Sequence, residues 1–493
     1  MSLPDNSAQL INLLGRMDAF MRAKGVACHM VGGFLRDQLL GRKTSHVNID
    51  FAVPRGALEV CRELAAHLKA AYVPLDEKAG TVRLVIAEGA VRYELDVSDY
   101  RAPTLEADLA LRDFTINAIA IGLSDWLKQP QQPAAVIDPL KGRQALARRE
   151  LVACFPAAFQ EDPVRILRAF RFMAQLGFSL PKATQKAMQQ GLQRLGDVSG
   201  ERIRDELMKI CDTDQASEAF KGLDAAGALD KLFPELIPGR GLDQGDFHHL
   251  DVLDHQIEAV FQADRFMKDF AEFSEPLRSP LAAYCSEELV DGRSRKSLIK
   301  LATLLHDVGK PSSRQVHPDG EIWFIGHEHT GEPLARAVVD RLKFSNREAD
   351  MVCQLVLNHL RPGFLSREEQ LTRRAIYRFF KELGDHGPSC LLEWWADRMA
   401  TRGKKSRLHE VGLQRTFLEE MLNAYFFKAE EVVKPPRLID GRQLMAVFSL
   451  SPGPLVGDLL EQIKEAQAEG RVCSADEALE LAKKYLASLP SHT

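Results

Sequence analysis

The sequence predicts an α+β chain: a small mixed sheet with helices in the first 145 residues, then an almost wholly helical remainder. Three observations carry this. Up to about residue 145, short apolar runs of strand length alternate with stretches of helical spacing, the pattern of a mixed sheet covered by helices. From Ala157 onward the apolar residues recur at the helical period almost throughout. The Gly- and Pro-rich stretch FPELIPGRGLDQG, residues 233–245, then punctuates the helices and marks a linker.

In chain order, a helix is expected over residues 8–21, a strand over 26–31 and another around Ile49. A helix over 57–70 and strands over 81–86 and 91–97 complete the first region. Helices follow over 163–176, 182–190, 201–210, 216–227 and 250–261. A short strand pair fits residues 313–324, around the turn His317-Pro318-Asp319-Gly320. A last helical piece carries Leu444-Met445 and Ser451-Pro452-Gly453-Pro454.

Composition narrows the function classes. At 493 residues the chain holds about three or four domains. Its 45% hydrophobic and 27% charged content is that of an ordinary water-soluble protein. No apolar run approaches a membrane span, and the N-terminus MSLPDNSAQLINLL lacks the basic flank and apolar core of a signal peptide. The eight cysteines are scattered with no C-x-x-C pair, which favours reduced thiols and a cytoplasmic location. The net charge of −5 does not advertise nucleic-acid binding, but basic patches at residues 141–149, with Arg148 and Arg149 adjacent, at Arg373-Arg374 and at residues 402–407 could engage phosphates.

Residues 31–37 read VGGFLRD and lead through Leu39-Leu40-Gly41 to Asn48-Ile49-Asp50-Phe51. This is a glycine turn, a short helix, and a strand with polar oxygens at alternate positions. On a strand, Asn48 and Asp50 share a face and Ile49 and Phe51 turn to the core. Nucleotidyl transfer needs a divalent metal such as Mg²⁺ on oxygen ligands, and Asp50 with Asn48 and Asp96 offers them. Asp96 lies in the alternating run YELDVSDYR with Glu94 beside it. Gly32 and Gly33 would let the backbone approach a triphosphate, and Arg36 could pair with a phosphate oxygen.

Four segments occur in order: VGGFLRD to NIDFAV, then LRDFTINAIA (111–120), EDPVRILRAFRF (161–172) and ERIRDEL (201–207). The series resembles the bacterial tRNA nucleotidyltransferase and poly(A) polymerase family, the CCA-adding enzymes. The resemblance implies a polymerase-β-like nucleotidyltransferase head at 1–145 and an all-α neck at 146–235. It implies that Arg112, Asp113 and Asn117 flank the nucleotide's sugar and triphosphate. Asp162 and Arg165 would read the Watson–Crick edge of the incoming base, with Arg168 adding a phosphate or base contact. Asp162 followed by Pro163 also suits a helix N-cap and first turn. The partners implied are the tRNA 3′ end, ATP and CTP. The family's strand carries two carboxylates where this chain has Asn48 and Asp50. That alignment needs about two extra residues after Gly41; without them His46 and Asn48 would take the two places. An amide ligand brings no charge, so weaker metal binding is expected.

A second constellation comprises His255, His306-Asp307, His327, His359 and Asp397. A His-Asp pair closing an apolar helical run resembles the signature of HD phosphohydrolase domains, H…HD…D, here expected over 236–402. His327 and His359 match two further histidines used by some members. Imidazole and carboxylate together suit Mn²⁺, Ni²⁺ or Co²⁺ better than Mg²⁺. His248, His249, His317 and His329 read as ordinary histidines. Residues 403–493 resemble the family's helical C-terminal segment, an RNA-binding tail. The expected function is addition or repair of all or part of the tRNA 3′-terminal CCA, with an HD hydrolase activity. The alternatives are a poly(A) polymerase, or an RNA-binding protein with a weakened head that acts mainly through the HD domain.

Overall fold

The computed structural model describes residues 7–42, 47–88, 91–131, 134–290, 292–406 and 408–488. One compact unit ends at Val198 and a second begins at Ser199, within the stretch expected as a neck.

The first unit is built on a six-stranded sheet. Its strands are β1 (His29–Val31), β2 (Val47–Val53), β3 (Ala71–Asp76), β4 (Thr81–Glu88), β5 (Val91–Asp99) and β6 (Ala120–Gly122). They lie in the order β3-β4-β5-β2-β1-β6. β2 and β5 run parallel and every other neighbouring pair is antiparallel. In β4 and β5 alternation decides the faces: Val82, Leu84, Ile86, Tyr93, Leu95 and Val97 are buried, and Arg83, Glu94 and Asp96 occupy the other face. The helix Ala57–Leu68 covers the apolar side with Val60, Cys61, Leu64 and Leu68, one stripe at helical spacing.

Two strands of this sheet were not legible in the sequence. β3 (AYVPLD) is largely exposed and carries Pro74, and it holds the sheet edge where strands tolerate proline. β6 has only three residues, too few for a period. β1 is shorter than the expected 26–31, because only His29–Val31 joins the ladders to β2 and β6.

In the second unit the helices Val252–Met267, Arg295–Leu305, Asn346–Asn358 and Gly387–Ala400 pack on one another. The stretch 233–245 is not an open linker: Phe233 and Leu236 are fully buried and a turn forms at Ile237–Gly239. The expected hairpin is present, with Gln315–Val316 antiparallel to Ile322–Trp323. The C-terminal helices gather their own small core from Leu444, Leu459, Ile463, Ala466 and Ala478. No helix among the described residues is long and apolar enough to cross a membrane.

Candidate active sites

In the first unit the glycine turn is built around a carboxylate. Gly32 has φ +76°, and a Cβ there would lie 2.6 Å from Asp50 Oδ2. The Gly33 N–H donates to the same carboxylate. The glycines thus seat Asp50. In the parallel ladder Asp50 stands opposite Asp96, and Asn48 opposite Glu94. Burial raises the Asp50 pKa and Asp96 raises it further, against the pull of Arg112 and Arg168. Arg83 grips Asp96 through two hydrogen bonds of 2.8 Å and also pairs with Glu94 at 2.8 Å. Asn48 is exposed. His46 lies outside the described residues.

An Ala at position 32 would take up a left-handed φ and run into Asp50. Gly32→Ala is expected to cost about 1–3 kcal/mol of stability. Denaturant unfolding reads that loss, and nucleotide transfer should fall with it. An unchanged midpoint would contradict the close seating of Asp50.

A second layer of polar side chains ties three segments together. Arg36 is buried, chelates Asp37 at 2.8 and 2.9 Å, and donates to Asn117 Oδ1 at 2.9 Å. Asn117 donates to Asp113 Oδ1 at 3.1 Å, and Arg168 donates twice to Asp113 Oδ2, at 2.6 and 2.9 Å. The Phe114 N–H closes on Asp113 Oδ1 at 2.7 Å. Burial opposes the Asp113 charge, but Arg168 and these donors outweigh it and hold the pKa far below the usual carboxylate range. Three of the five Arg36 N–H groups are therefore engaged within the protein. Arg112 pairs with Asp108 at 3.2 Å. The guanidiniums of Arg36, Arg168 and Arg171 lie 5.1, 5.5 and 4.3 Å from the Phe172 ring.

Asp162 and Arg165 face each other at 3.9 Å. Asp162 is not the side-chain N-cap that the sequence suggested. It ends the short helix Ala158–Glu161, and the next helix, Arg165–Leu176, begins after Val164 with no side-chain cap. Arg165 is fixed by donating to the carbonyls of Ala158 (3.3 Å) and Leu111 (3.0 Å).

In the second unit all six expected residues converge. His306 follows the helix Arg295–Leu305, His359 follows Asn346–Asn358, His327 opens His327–Arg341, and His255 and Asp397 project from Val252–Met267 and Gly387–Ala400. Two groups form with ligand atoms within 4.8 Å of one another: His255, His306 and Asp307; and Asp307, His327 and His359. Asp307 serves both, one oxygen to each. Its Oδ2 lies 3.1 Å from His306 Nε2 and 3.6 Å from His255 Nε2. Its Oδ1 lies 3.1 Å from His327 Nε2 and 3.8 Å from His359 Nε2. Asp397 Oδ1 adds a contact of 2.9 Å to His255 Nε2.

The tautomers follow from the backbone. His306, His327 and His359 place Nδ1 at 2.7–2.8 Å from the carbonyls of Thr303, Phe324 and Val356. A carbonyl only accepts, so each Nδ1 carries the proton and Nε2 is the ring atom turned inward. Burial opposes the His306 charge, but Asp307 and Asp397 outweigh it and raise its pKa well above the ordinary imidazole value. His327 Nε2 and His359 Nε2 then face each other at 3.1 Å, and His306 Nε2 faces a carboxylate. Imidazole Nε2 atoms and carboxylate oxygens gathered this closely are a donor set that fits divalent transition metals.

The sequence reading missed three neighbours. Lys310 Nζ lies 2.5 Å from Asp307 Oδ2 and 2.7 Å from Gln244 Oε1; the G-K after His-Asp was its signal. His248, read as ordinary, sets its ring 4.5 Å from that of His255, and burial first, then Lys310, pushes its pKa down to about 2. Glu393, one turn before Asp397, is fully buried with neither oxygen hydrogen-bonded, and burial raises its pKa to about 8. A lone Glu inside the apolar run LLEWWA was the visible sign.

The basic patches are partly neutralised within the protein. Arg374 pairs with Glu465 at 2.9 Å, and Lys405 pairs with Glu321 at 3.0 Å.

Comparison with known proteins gives three matched regions. The model of the poly A polymerase head domain matches residues 28–152. The region described as "Probable RNA and SrmB- binding site of polymerase A" matches 177–239, and the HD domain matches 252–379. An A-adding tRNA nucleotidyltransferase of Deinococcus radiodurans is 33% identical over 94% of this chain and 96% of its own. A CC-adding tRNA nucleotidyltransferase of Thermus thermophilus is 33% identical over 91% of each. A solved structure described as a CCA-adding enzyme in apo form I shares the fold, with a TM-score of 0.62 at 22% identity over 98% of this chain and 96% of that one. The chain belongs to the tRNA nucleotidyltransferase family, with a poly(A) polymerase type of head and an HD domain.

Proposed function

We propose that the head adds all or part of the 3′-terminal CCA to tRNA from CTP and ATP, and that the HD domain hydrolyses phosphoesters. The observation that carries the first part is the Asp50–Asp96 pair in register on adjacent parallel strands, with the glycine turn closed on Asp50. Asp50 and Asp96, with the Asn48 amide, would hold Mg²⁺, which neutralises triphosphate charge and acidifies the attacking hydroxyl when bound. Arg112, whose charge pulls the Asp50 pKa down, supplies positive charge for a triphosphate. Asp113 has spent its acceptor capacity on Phe114, Asn117 and Arg168. Its work is to hold Arg168 toward the nucleotide rather than to touch the ribose. Asp162 and Arg165 read the base edge, one accepting and one donating.

In the second unit the two groups sharing Asp307 would hold a pair of divalent transition ions, Mn²⁺, Ni²⁺ or Co²⁺, which activate water and polarise a phosphoryl oxygen when bound. In the hydrolysis the water oxygen joins phosphorus, one P–O ester bond breaks, and a proton passes to the released hydroxyl. The division into head (1–145), neck (146–235), HD domain (236–402) and RNA-binding tail (403–493) is part of this reading. So is a cytoplasmic location, which the eight free cysteines favour.

A weakened head is the second reading, favoured by Asn48 and by the Arg83 grip on Asp96. The test uses purified protein, Mg²⁺, CTP or ATP, and two tRNAs, one lacking CCA and one ending in CC. Single-nucleotide extension of at least one is expected, and about 10-fold faster in Asn48→Asp, where the strand regains an anionic ligand. Extension by Asn48→Asp alone would establish the weakened head. Extension by neither protein would overturn the assignment of this strand.

A further inference from the structure

Beside the metal-binding side chains the second unit exposes a set of apolar and aromatic residues. Phe247, Val316, Trp323 and Ile325 are among the exposed large apolar side chains. They sit on two segments that are pinned together. Ile322 packs 3.5 Å from the place a Gly245 Cβ would occupy. Lys405 bridges Glu321 at 3.0 Å and Asp246 at 3.5 Å, and Gly403 N–H donates to the Phe247 carbonyl at 2.9 Å.

Both segments run directly into the metal-holding residues. Phe247 precedes His248, whose ring abuts His255. Trp323 precedes Phe324, whose ring lies 5.4 Å from Lys310 Nζ and whose carbonyl fixes His327. Ile325 is two residues from His327. Trp323 is also stacked on His317, centroids 4.5 Å apart and planes 27° from parallel, so a flat aromatic face stands ready at the surface. A nucleobase is a planar partner for such a face.

We propose that Trp323, backed by His317, and Phe247 form a base-binding subsite of the HD centre, which selects phosphoesters carrying a nucleobase next to the scissile phosphate. The proposal rests on the phosphohydrolase reading of this unit. A shared nucleobase chemistry could come from a free nucleotide or from an RNA 3′ end, and the test separates them.

Metal-loaded full-length protein is assayed on adenosine 2′,3′-cyclic phosphate and on 1-O-methylribose 2,3-cyclic phosphate, which lacks only the base. A short RNA ending in a 2′,3′-cyclic phosphate is the third substrate. Wild type should favour the adenosine ester over the methylriboside by about 10-fold or more in kcat/KM, as base stacking on an aromatic ring provides. Trp323→Ala and Phe247→Ala should each reduce that ratio by about 5-fold or more, chiefly through KM. Leu413→Ala, an exposed apolar residue elsewhere, should leave the ratio unchanged. A larger KM effect on the RNA than on the mononucleotide assigns the subsite to an RNA end, and an equal effect to a free nucleotide. A wild-type ratio near one, or a ratio indifferent to both substitutions, overturns the proposal. No hydrolysis of any substrate overturns the phosphohydrolase reading and the subsite with it.

Discussion

Asp307→Asn is expected to abolish phosphoester hydrolysis and to empty both metal groups at once. Each oxygen of this carboxylate faces a different pair of histidines, so the substitution removes the anionic donor of two groups in one step. An Asn side chain keeps the shape but turns an N–H toward lone pairs at one of the two positions. Lys310, whose ammonium lies 2.5 Å from Oδ2, would then lose its buried partner charge. Metal affinity should fall by more than the 10- to 100-fold that loss of a supporting residue alone costs, about 100-fold at least. Metal content after dialysis against a weak chelator reads this directly. Asp397→Asn should empty only the group of His255 and His306, since Asp397 contacts those two rings. Equal metal loss in both variants would contradict the sharing of Asp307.

The second large effect is in the head. Asp50→Asn should lower single-nucleotide transfer by about 100- to 1000-fold, the scale on which removing one preorganised electrostatic contact acts. Asn48 already supplies an amide where a carboxylate would serve, so Asp50 is the strand's remaining anionic ligand on that face. Asp96 is left, with its two oxygens gripped by Arg83. The folded state should survive, because burial raises the Asp50 pKa and its charge is no asset to stability. An Asp50→Asn protein that transfers within 10-fold of wild type would show that the site lies elsewhere.

Which features could be read from the sequence follows from how each signal arises. Periodicity exposed the long elements: the stripe of Val60, Cys61, Leu64 and Leu68, and the alternation of Val82, Leu84 and Ile86, are set by burial on one face. It could not expose β3 or β6, where one strand is solvent-facing at an edge and the other too short to show a period. The HD residues were legible because His-Asp pairs are rare and their partners fall in helices. What the sequence concealed was the sharing of Asp307, which depends on helices distant in sequence meeting. Local chemistry was incomplete at Arg36 and misled at Asp162. Arg36 beside a glycine turn reads as a phosphate arm, and its bond to the distant Asn117 could not be read from the local sequence. Asp162 before Pro163 looked like a helix cap, yet the helix starts later, at Arg165.

Two separate chemistries in two units is the central claim, and one side-by-side measurement tests it. Wild type, Asp50→Asn and Asp307→Asn are each assayed for tRNA extension with CTP and ATP and for hydrolysis of a 2′,3′-cyclic nucleotide. Asp50→Asn should lose extension and keep hydrolysis, and Asp307→Asn should lose hydrolysis and keep extension. Loss of both activities in either folded variant, or of neither in both, would contradict the claim.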